Sequence, residues 1–369
     1  MISQYPKDSI IRFTVDRGCE EGETYIDDVK TIVRNIKLSS LPILSSLSYI
    51  NYVISRKKYL LKEVDSIIIN ENIDVIWAII NDIITIDITE FLSENVKKPI
   101  ITQIWDTPIY LLKRYRLDYY IRRNLLKRFA SVMLRSDQSV VVSDSMGRIY
   151  NKLYNIKTST LAYCPPLSEW QDKISYKDKA KLKIIFAGSL YAKKEWMSFI
   201  NALESIDFEF NNRKVVVTYL GRSVKDSMKR SNINYIDYLP QKEASKLVQE
   251  SDIAYLPYWL SSKHSYTVQT AFPSKLSFYL SAGTPVFYHG PSDSTPAEFL
   301  GNYNVGFVCN SFKKETIYDT LYKLTDQNFI SKFWDERDKA MLNLFHPSIG
   351  NKLFKKLIVE NSKSNYVSK

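Results

Sequence analysis

The stretch FPSKLSFYLSAGTPVF, residues 272–287, contains the residue types of an anion site at the start of a helix. Pro273 suits the first helical position because proline has no amide hydrogen to leave unpaired. The amides of Ser274, Lys275 and Leu276 would then lack intrahelical partners and carry the positive end of the helix dipole. The Ser274 hydroxyl and the Lys275 ammonium favour a phosphate as the anion. The alternative is an ordinary helix that holds no ligand.

A second anion-binding candidate is the segment GSLYAKK, residues 188–194. A glycine at a strand-to-helix turn, here Gly188, lets a phosphate or another backbone come close. Lys193 and Lys194 stand where the next helix should begin, and an anionic ligand would offset their conflict with the helix dipole. The alternative is a solvated pair of lysines. Neither GxxxxGK[ST] nor GxGxxG is present, so a P-loop and a dinucleotide cofactor are disfavoured.

Metal chemistry has no support in the residue pattern. The sequence has no DxD motif and no His, Cys, Asp and Glu cluster at ligand spacing, and its three histidines are isolated. We therefore predict no metal and no cofactor. The three cysteines are far apart, which favours a reducing compartment over a disulfide framework.

Short apolar runs alternate with longer helical patterns, which predicts parallel sheets covered on both faces. The strand candidates are 73–80, 98–105, 139–143, 159–165, 182–188, 214–221, 233–240, 253–258, 284–290 and 305–310. The helix candidates are 43–70, 108–135, 194–205, 224–230, 242–250, 273–282 and 331–359. The alternation of strands and helices lapses near Ser168. We therefore predict an N-terminal domain (1–167), a linker (168–180) and a C-terminal domain (181–340). The last segment (341–369) is predicted to be a helix that packs back toward the N-terminal domain, followed by a loose tail.

The segment LLKRYRLDYYIRRNLLKR, residues 111–128, combines many basic residues with interleaved leucines and tyrosines. If helical, it is an amphipathic basic surface of the kind that lies on anionic lipid. The residues assigned to this membrane or acceptor face are Arg114, Arg116, Arg122 and Arg123. The alternative is a solvated helix face packed on the sheet. The net charge of +11 favours anionic partners, but nucleic acid gains little support because no recognised nucleic-acid module accompanies the charge.

Four sequence blocks follow one another in the second half of the chain: FAGSLYAKKEW, IDYLPQKEASKLVQESDIAYLPY, FPSKLSFYLSAGTPVF and PAEFLGNYNVGFV. Two more, PIITQIWDTP and SVVVSDSMGRIY, precede them. Taken in order, the six blocks resemble the family 4 glycosyltransferases of the GT-B fold, above all bacterial enzymes that build surface polysaccharides. The resemblance is weaker in PIITQIWDTP and SVVVSDSMGRIY. It covers essentially the whole chain and is strongest over 181–310. It implies an α/β fold with two Rossmann-like, doubly wound parallel-sheet domains facing across a cleft. It also implies transfer of a sugar from a nucleotide-diphosphate sugar to an acceptor hydroxyl, with retention of anomeric configuration.

The resemblance also implies roles for individual residues. The donor-side candidates are Gly188, Ser189, Lys193, Lys194, Ser274, Lys275, Leu276 and Glu298. The catalytic candidates are Lys194, as the partner of a phosphate, and Asp106, in a polar or basic role on the acceptor side. The alternative for Asp106 is a turn residue before Pro108, and for Glu298 an exposed helix residue.

The sequence departs from the family pattern at three positions. Thr270 and Phe278 stand where many relatives have two glutamates eight positions apart, the second of which holds the ribose. Ser189 stands where many have an arginine after the turn glycine. A non-catalytic sugar-nucleotide-binding or scaffold protein therefore stays open, as does a sugar-nucleotide epimerase.

The expected partners are a nucleotide sugar and a glycan or lipid-linked glycan acceptor in O-antigen or capsule synthesis. No uninterrupted apolar span of about 20 residues is present, which predicts no transmembrane helix. The first residues, MISQYPKDSI, do not resemble a signal peptide. We expect a cytoplasmic protein with peripheral contact at the inner face of the plasma membrane.

Overall fold

The computed structural model describes residues 7–16, 22–26, 28–173, 179–222 and 229–364. The chain divides into two compact units, Met1–Leu161 with Gly350–Lys369 (unit 1) and Ala162–Ile349 (unit 2). Most of the helix predicted at 224–230, residues 174–178 of the predicted linker and the end of the tail lie outside the described residues. The predicted domain boundaries stay a prediction.

Unit 1 contains two sheets with helices packed around them. Its strands are β1 (Ile11–Asp16), β2 (Gly22–Ile26), β3 (Val29–Asn35), β4 (Ile76–Ile80), β5 (Ile100–Ile104), β6 (Gln138–Val141) and β7 (Thr158–Thr160). Its helices are α1 (Leu44–Ser55), α2 (Lys57–Asn70), α3 (Ile83–Asn95), α4 (Pro108–Tyr115), α5 (Tyr119–Arg135) and α6 (Asp144–Tyr154).

The four strands β4-β5-β6-β7 are all parallel, as the alternation predicted. The first three strands form a separate sheet, β1-β3-β2, in which β2 runs antiparallel to β3. None of the predicted strands covers this sheet. Its first strand, β1, alternates apolar and polar residues (IRFTVD), which is the pattern of a half-buried strand.

In unit 1, two stretches that the sequence suggested as continuous helices are broken. The stretch 43–70 is interrupted at Arg56, between α1 and α2. The stretch 108–135 is interrupted after α4, where Arg116 takes a left-handed conformation with φ of 50°. Asp118 then caps α5 by accepting hydrogen bonds from the amides of Tyr120 and Ile121, at 2.8 and 3.0 Å. The reading of the basic segment 111–128 as one helix is therefore wrong.

Unit 2 is built on one seven-stranded sheet. Its strands are β8 (Lys181–Ala187), β9 (Glu209–Phe210), β10 (Arg213–Leu220), β11 (Ile233–Ile236), β12 (Ile253–Pro257), β13 (Val286–His289) and β14 (Gly306–Cys309). Its helices are α7 (Lys193–Glu204), α8 (Gln241–Gln249), α9 (Ser265–Thr270), α10 (Ser274–Ser281), α11 (Thr295–Tyr303), α12 (Lys314–Thr325) and α13 (Gln327–Ala340).

The parallel strands of unit 2 run in the order β11-β10-β8-β12-β13-β14, and β9 adds a short antiparallel pairing to β10. Counted along the chain without β9, this is the order 3-2-1-4-5-6 of a Rossmann-type sheet. Both faces are covered, because alternate residues of β8 enter different apolar clusters. Phe186 packs with α7 and α12, and Ala187 packs with α10 and α11.

The C-terminal segment predicted at 331–359 is helical except at His346, which is extended and interrupts it. A π-helical turn, Met341–Phe345, follows α13, and α14 (Pro347–Ser364) runs from unit 2 into unit 1. In unit 1 the ring of Phe354 lies 4.8 Å from that of Trp77. Among the described helices, none is both long and apolar enough to cross a bilayer.

Candidate functional site

The donor-side candidates gather where the strand order of unit 2 reverses, between β8 and β12. In open parallel sheets, ligands bind beyond the carboxyl ends of the strands at this switch point. Gly188 follows β8 directly. Helix α10 reaches the same edge because the Tyr279 hydroxyl accepts a hydrogen bond from the Ala187 amide at 2.9 Å. The fold therefore brings the two candidate segments, 188–194 and 272–287, to one place.

Lys275 joins the two segments. Its ammonium donates a hydrogen bond to the Ser189 carbonyl at 3.0 Å and lies 4.5 Å from the ring centre of Tyr191 and 5.1 Å from that of Phe186. Gly188 makes room for it: a Cβ built there would lie 2.6 Å from Lys275 Cε. The φ of 108° at Gly188 also favours glycine. The close approach predicted at Gly188 is therefore made by a side chain of the protein itself.

The electrostatic setting of Lys275 favours an anionic ligand. The side chain is half-buried, and burial lowers its pKa to about 8. Among the described residues, no carboxylate lies within ion-pair distance of it. An ammonium that is partly desolvated and not paired with a carboxylate gains more from a bound anion than a surface lysine does.

The start of α10 differs in part from the sequence expectation. The helix begins at Ser274, and Pro273 precedes it in an extended conformation, with φ of −70° and ψ of 127°. The expectation of three unpaired amides is wrong for Leu276, whose amide donates to the Pro273 carbonyl at 2.9 Å. Within the described structure, no acceptor is found for the amides of Ser274 and Lys275. Two amides, and not three, are available to a ligand.

The far end of α10 is firmly held. Gly283 takes a left-handed conformation with φ of 78°, and its amide and that of Thr284 bond back to the last turn, each at 3.0 Å. The buried guanidinium of Arg337 donates to the carbonyls of Leu280 and Ser281 at 2.8 and 2.9 Å. The orientation of α10 at the site is therefore fixed from its C-terminal end.

The remaining donor-side candidates are more exposed. Lys193 and Lys194 form the exposed first turn of α7, which no side chain caps. Ser189 and Ser274 are also exposed, while the Leu276 side chain is buried in the core. Glu298 lies exposed in the first turn of α11. The roles of these residues stay predictions.

The two positions that lack glutamate cannot replace it. Thr270 is fully buried at the end of α9, and its hydroxyl donates to the Tyr266 carbonyl at 2.7 Å. Phe278 packs against the core of unit 2. A ribose bound at this site would need other partners.

Two tyrosines of the site were missed from the sequence. The ring of Tyr191 lies under the Lys275 ammonium, and Tyr279 holds α10 to β8. Both lie inside the quoted blocks GSLYAKK and FPSKLSFYLSAGTPVF. The sequence signal that could have identified them is that each of the two donor-side segments, 188–194 and 272–287, contains a tyrosine.

In unit 1, Asp106 lies half-buried in the bend after β5, two residues before Pro108 opens α4. Of the four arginines assigned to the membrane or acceptor face, Arg116 and Arg123 are exposed and Arg122 is half-buried. The side chain of Arg114 lies outside the described part of the chain. Neither the role of Asp106 nor that of the basic face is tested by this placement.

His289 illustrates a residue near the site with a structural role. It is fully buried at the end of β13, where its Nε2 donates to the Ser311 carbonyl at 2.9 Å and its Nδ1 lies 2.7 Å from the Tyr255 hydroxyl. Burial lowers its pKa to about 4, and the bond to Ser311 offsets this only in part. The ring is therefore neutral in the folded protein at neutral pH.

The buried His289 should make folding sensitive to mild acid. The unfolded chain binds a proton at about pH 6.5 and the folded chain only near pH 4, so stability is lost as the pH falls below about 6.5. Between about pH 7 and pH 5 we expect His289 to lower the free energy of unfolding by about 2 kcal/mol. Urea unfolding of the parent and of His289→Gln at both pH values measures this. Parallel pH dependences in the two proteins would contradict it.

The described residues contain no group of three or more His, Cys, Asp or Glu side chains arranged to hold a metal ion.

Solved structures of the same architecture are found among sugar-phosphate synthases. The structure is similar to an α,α-trehalose 6-phosphate synthase from Burkholderia multivorans, with a TM-score of 0.67 and 9% identity over 98% of this chain and 91% of the other. It is similar to a sucrose-phosphate synthase from Thermosynechococcus elongatus, with a TM-score of 0.68 and 10% identity over 95% and 89% of the two chains.

A third similar structure is WaaG, a glycosyltransferase involved in lipopolysaccharide biosynthesis, with a TM-score of 0.54 and 13% identity over 85% and 84% of the two chains. No protein-family model and no curated protein sequence matches the chain. Identities this low establish the fold alone. The predicted fold class, α/β with Rossmann-like parallel-sheet domains of the GT-B type, is confirmed.

Proposed function

We propose that the protein is a glycosyltransferase that binds a nucleotide-diphosphate sugar on unit 2 and transfers the sugar to an acceptor hydroxyl. One observation carries the proposal: the half-buried Lys275 ammonium has no carboxylate partner among the described residues and lies at the switch point of a Rossmann-type sheet. The amides of Ser274 and Lys275 lie on the same helix start. Together these groups suit a diphosphate.

The same groups suit the chemistry of sugar transfer. The bond between the anomeric carbon and the diphosphate oxygen breaks, and its electron pair stays on the diphosphate. Preorganised donors stabilise that growing charge where it develops, which we assign to Lys275, Lys194 and the two amides. The acceptor oxygen bonds to the anomeric carbon and loses its proton, for which Asp106 is the candidate base. We propose retention of the anomeric configuration, as the family resemblance implies.

We further propose that the acceptor is a glycan or lipid-linked glycan of surface polysaccharide synthesis, such as O-antigen or capsule. The sequence resemblance supports this, as does the structural similarity to WaaG, a glycosyltransferase involved in lipopolysaccharide biosynthesis. The exposed basic residues Arg116 and Arg123 would bring the acceptor side to the inner face of the plasma membrane.

Replacing Lys275 with alanine should weaken the binding of UDP and GDP about 10- to 100-fold, because a hydrogen bond from a charged donor contributes about 1.5–3 kcal/mol. Lys194→Ala should have a smaller effect because its side chain is exposed. Titration calorimetry with UDP, GDP and the two nucleosides measures this, and nucleoside affinity should change less. The control is Lys323→Ala, which removes an exposed lysine of α12.

Proton loss from Lys275 provides a second test of the same role. In the parent protein, nucleotide-diphosphate affinity should fall as the pH rises through about 8, where the ammonium deprotonates. Lys275→Ala should lack this fall. Equal diphosphate affinity in parent and Lys275→Ala would remove the phosphate role.

A non-catalytic nucleotide-sugar-binding protein is the second candidate, favoured by the absence of carboxylates at Thr270 and Phe278. Incubation with UDP-, GDP- and dTDP-sugars, with and without acceptors, separates the two. Tight binding without hydrolysis or transfer favours the binding protein. Turnover of the nucleotide sugar without loss of the nucleotide and without an acceptor would indicate an epimerase.

A further inference from the structure

Helix α1 of unit 1 has its apolar face turned to the solvent. The residues that it buries are Ser45, Tyr49 and Tyr52. The large apolar residues on its other side are exposed, and they are Leu44, Leu47, Ile50, Val53 and Ile54. A surface helix of a soluble protein normally has the reverse arrangement. Five neighbouring apolar side chains on one face form a patch that indicates a binding surface.

The charge distribution around this face is equally uneven. From Leu38 to Ser55 the sequence contains no charged residue, and Arg56, Lys57 and Lys58 follow directly. Lys57 is partly engaged, since its ammonium lies 3.3 Å from the buried Asp87 carboxylate, whereas Arg56 and Lys58 are exposed. The apolar face therefore ends in exposed positive charge.

The turn between α4 and α5 adjoins the start of α1. The Ser45 hydroxyl donates to the Arg116 carbonyl at 3.2 Å, and the Asp118 amide donates to the Ser46 hydroxyl at 2.9 Å. Tyr119 and Tyr120, at the start of α5, are 59% and 81% exposed. The turn that leads into these two exposed tyrosines therefore lies beside the start of α1.

We infer that α1 inserts its apolar face into the surface of an anionic lipid bilayer, with the basic residues and tyrosines around it at the headgroup level. Apolar side chains at the centre, aromatic residues at the border and cations outside match the layers of a bilayer interface. Charge complementarity selects anionic lipid, because each exposed cation near such a surface adds to the attraction.

This inference deepens the acceptor side of the proposed function and rests on it for its biological purpose. Vesicle binding, however, is measured without nucleotide or acceptor. A protein that ignores vesicles but binds UDP or GDP would overturn the lipid inference alone. A protein that binds vesicles but no nucleotide diphosphate would overturn the proposed function alone.

The test is co-flotation of the full chain with phosphatidylcholine vesicles that contain or lack phosphatidylglycerol. The apolar variant replaces Leu47 and Ile54, which are 55% and 78% exposed, with serine. The matched control is Leu153→Ser, which removes a leucine of 57% exposure from α6. We expect the parent and the control to float with the anionic vesicles and the apolar variant to bind at least about tenfold more weakly.

A charge variant, Arg122→Glu with Arg123→Glu, separates insertion from attraction. The charge variant should bind the anionic vesicles more weakly than the parent at low salt and about as well as the parent at high salt, where charges are screened. The apolar variant should bind more weakly than the parent at both salt concentrations. Vesicle binding of the apolar variant equal to that of the parent would overturn the inference. So would sedimentation that shows a parent dimer dissociated by the two serines while vesicle binding is unchanged, because the face would then hold a second copy of the chain.

Discussion

Replacing Gly221 with alanine should lower the free energy of unfolding of unit 2 by about 3 kcal/mol or more. Gly221 directly follows β10 beside the site, with φ of 153°, and its amide donates to the Ile236 carbonyl at 3.0 Å. A Cβ there would lie 2.4 Å from the Gly188 carbonyl oxygen. That oxygen belongs to the backbone, so the clash cannot be relieved by rotating a side chain.

The same substitution should also abolish nucleotide-diphosphate binding, because the Gly188 turn must move to relieve the clash and Lys275 packs directly on that turn. Gly301→Ala is the matched control. Gly301 lies exposed inside α11 with no atom within 4 Å of the added Cβ, so alanine there should stabilise the helix by up to about 1 kcal/mol. Urea unfolding and calorimetry with UDP and GDP measure both effects. Equal stabilities of the two alanine variants would contradict this prediction.

The glycine pair shows what the sequence could and could not predict about the site. Gly188 stood out because it follows an apolar strand and precedes a helix start. In the structure, Lys275 lies against Gly188, and the Gly188 carbonyl lies against Gly221. Both contacts depend on the order of β10, β8 and β12 in the sheet. No local pattern encodes that order. The type of chemistry could therefore be read from the residues, while their geometry needed the assembled sheet.

The strands of unit 2 were predicted closely for a physical reason. A parallel strand buried on both faces is a continuous apolar run, such as LKIIFA in β8, and such runs are visible without knowing the neighbours. In contrast, β1 alternates apolar and polar residues, and α1 exposes its apolar face. Neither fits the assumption that apolar runs mark the interior, so β1 was not predicted and the exposed apolar face of α1 was not expected.

The basic segment 111–128 shows the same limit in unit 1. If helical, the segment was expected to form an amphipathic basic surface, with Arg114, Arg116, Arg122 and Arg123 on its membrane or acceptor face. Arg128 of the same segment turns inward and pairs with the Asp87 carboxylate of α3, which is fully buried. Asp87 also accepts a hydrogen bond from the Tyr49 hydroxyl at 3.1 Å. Burial and then the negative charge of Asp87 raise the pKa of Tyr49, so the phenol stays protonated as a donor. The partner of Arg128 lies 41 positions away in the chain, beyond any helical spacing.

Replacing Arg128 with methionine should therefore destabilise unit 1 by about 3–5 kcal/mol, because it leaves the buried Asp87 carboxylate without its main countercharge. Lys57, at 3.3 Å, and Tyr49 compensate only in part. Arg135→Met is the matched control on the same helix. Its partner is Glu94 at the surface, both side chains are nearly half exposed, and the loss should stay below about 1 kcal/mol.

A second variant tests whether the cost arises from the stranded carboxylate or from lost packing of the Arg128 stem. Adding Asp87→Leu to Arg128→Met removes the buried charge, and should recover at least half of the lost stability, since an apolar pair can replace a buried ion pair at little cost. Urea unfolding of the single and double variants measures the coupling between the two sites. If the double variant is less stable than Arg128→Met alone, the stranded charge is not the cause, and Asp87 stabilises unit 1 through its other partners, Tyr49 and Lys57.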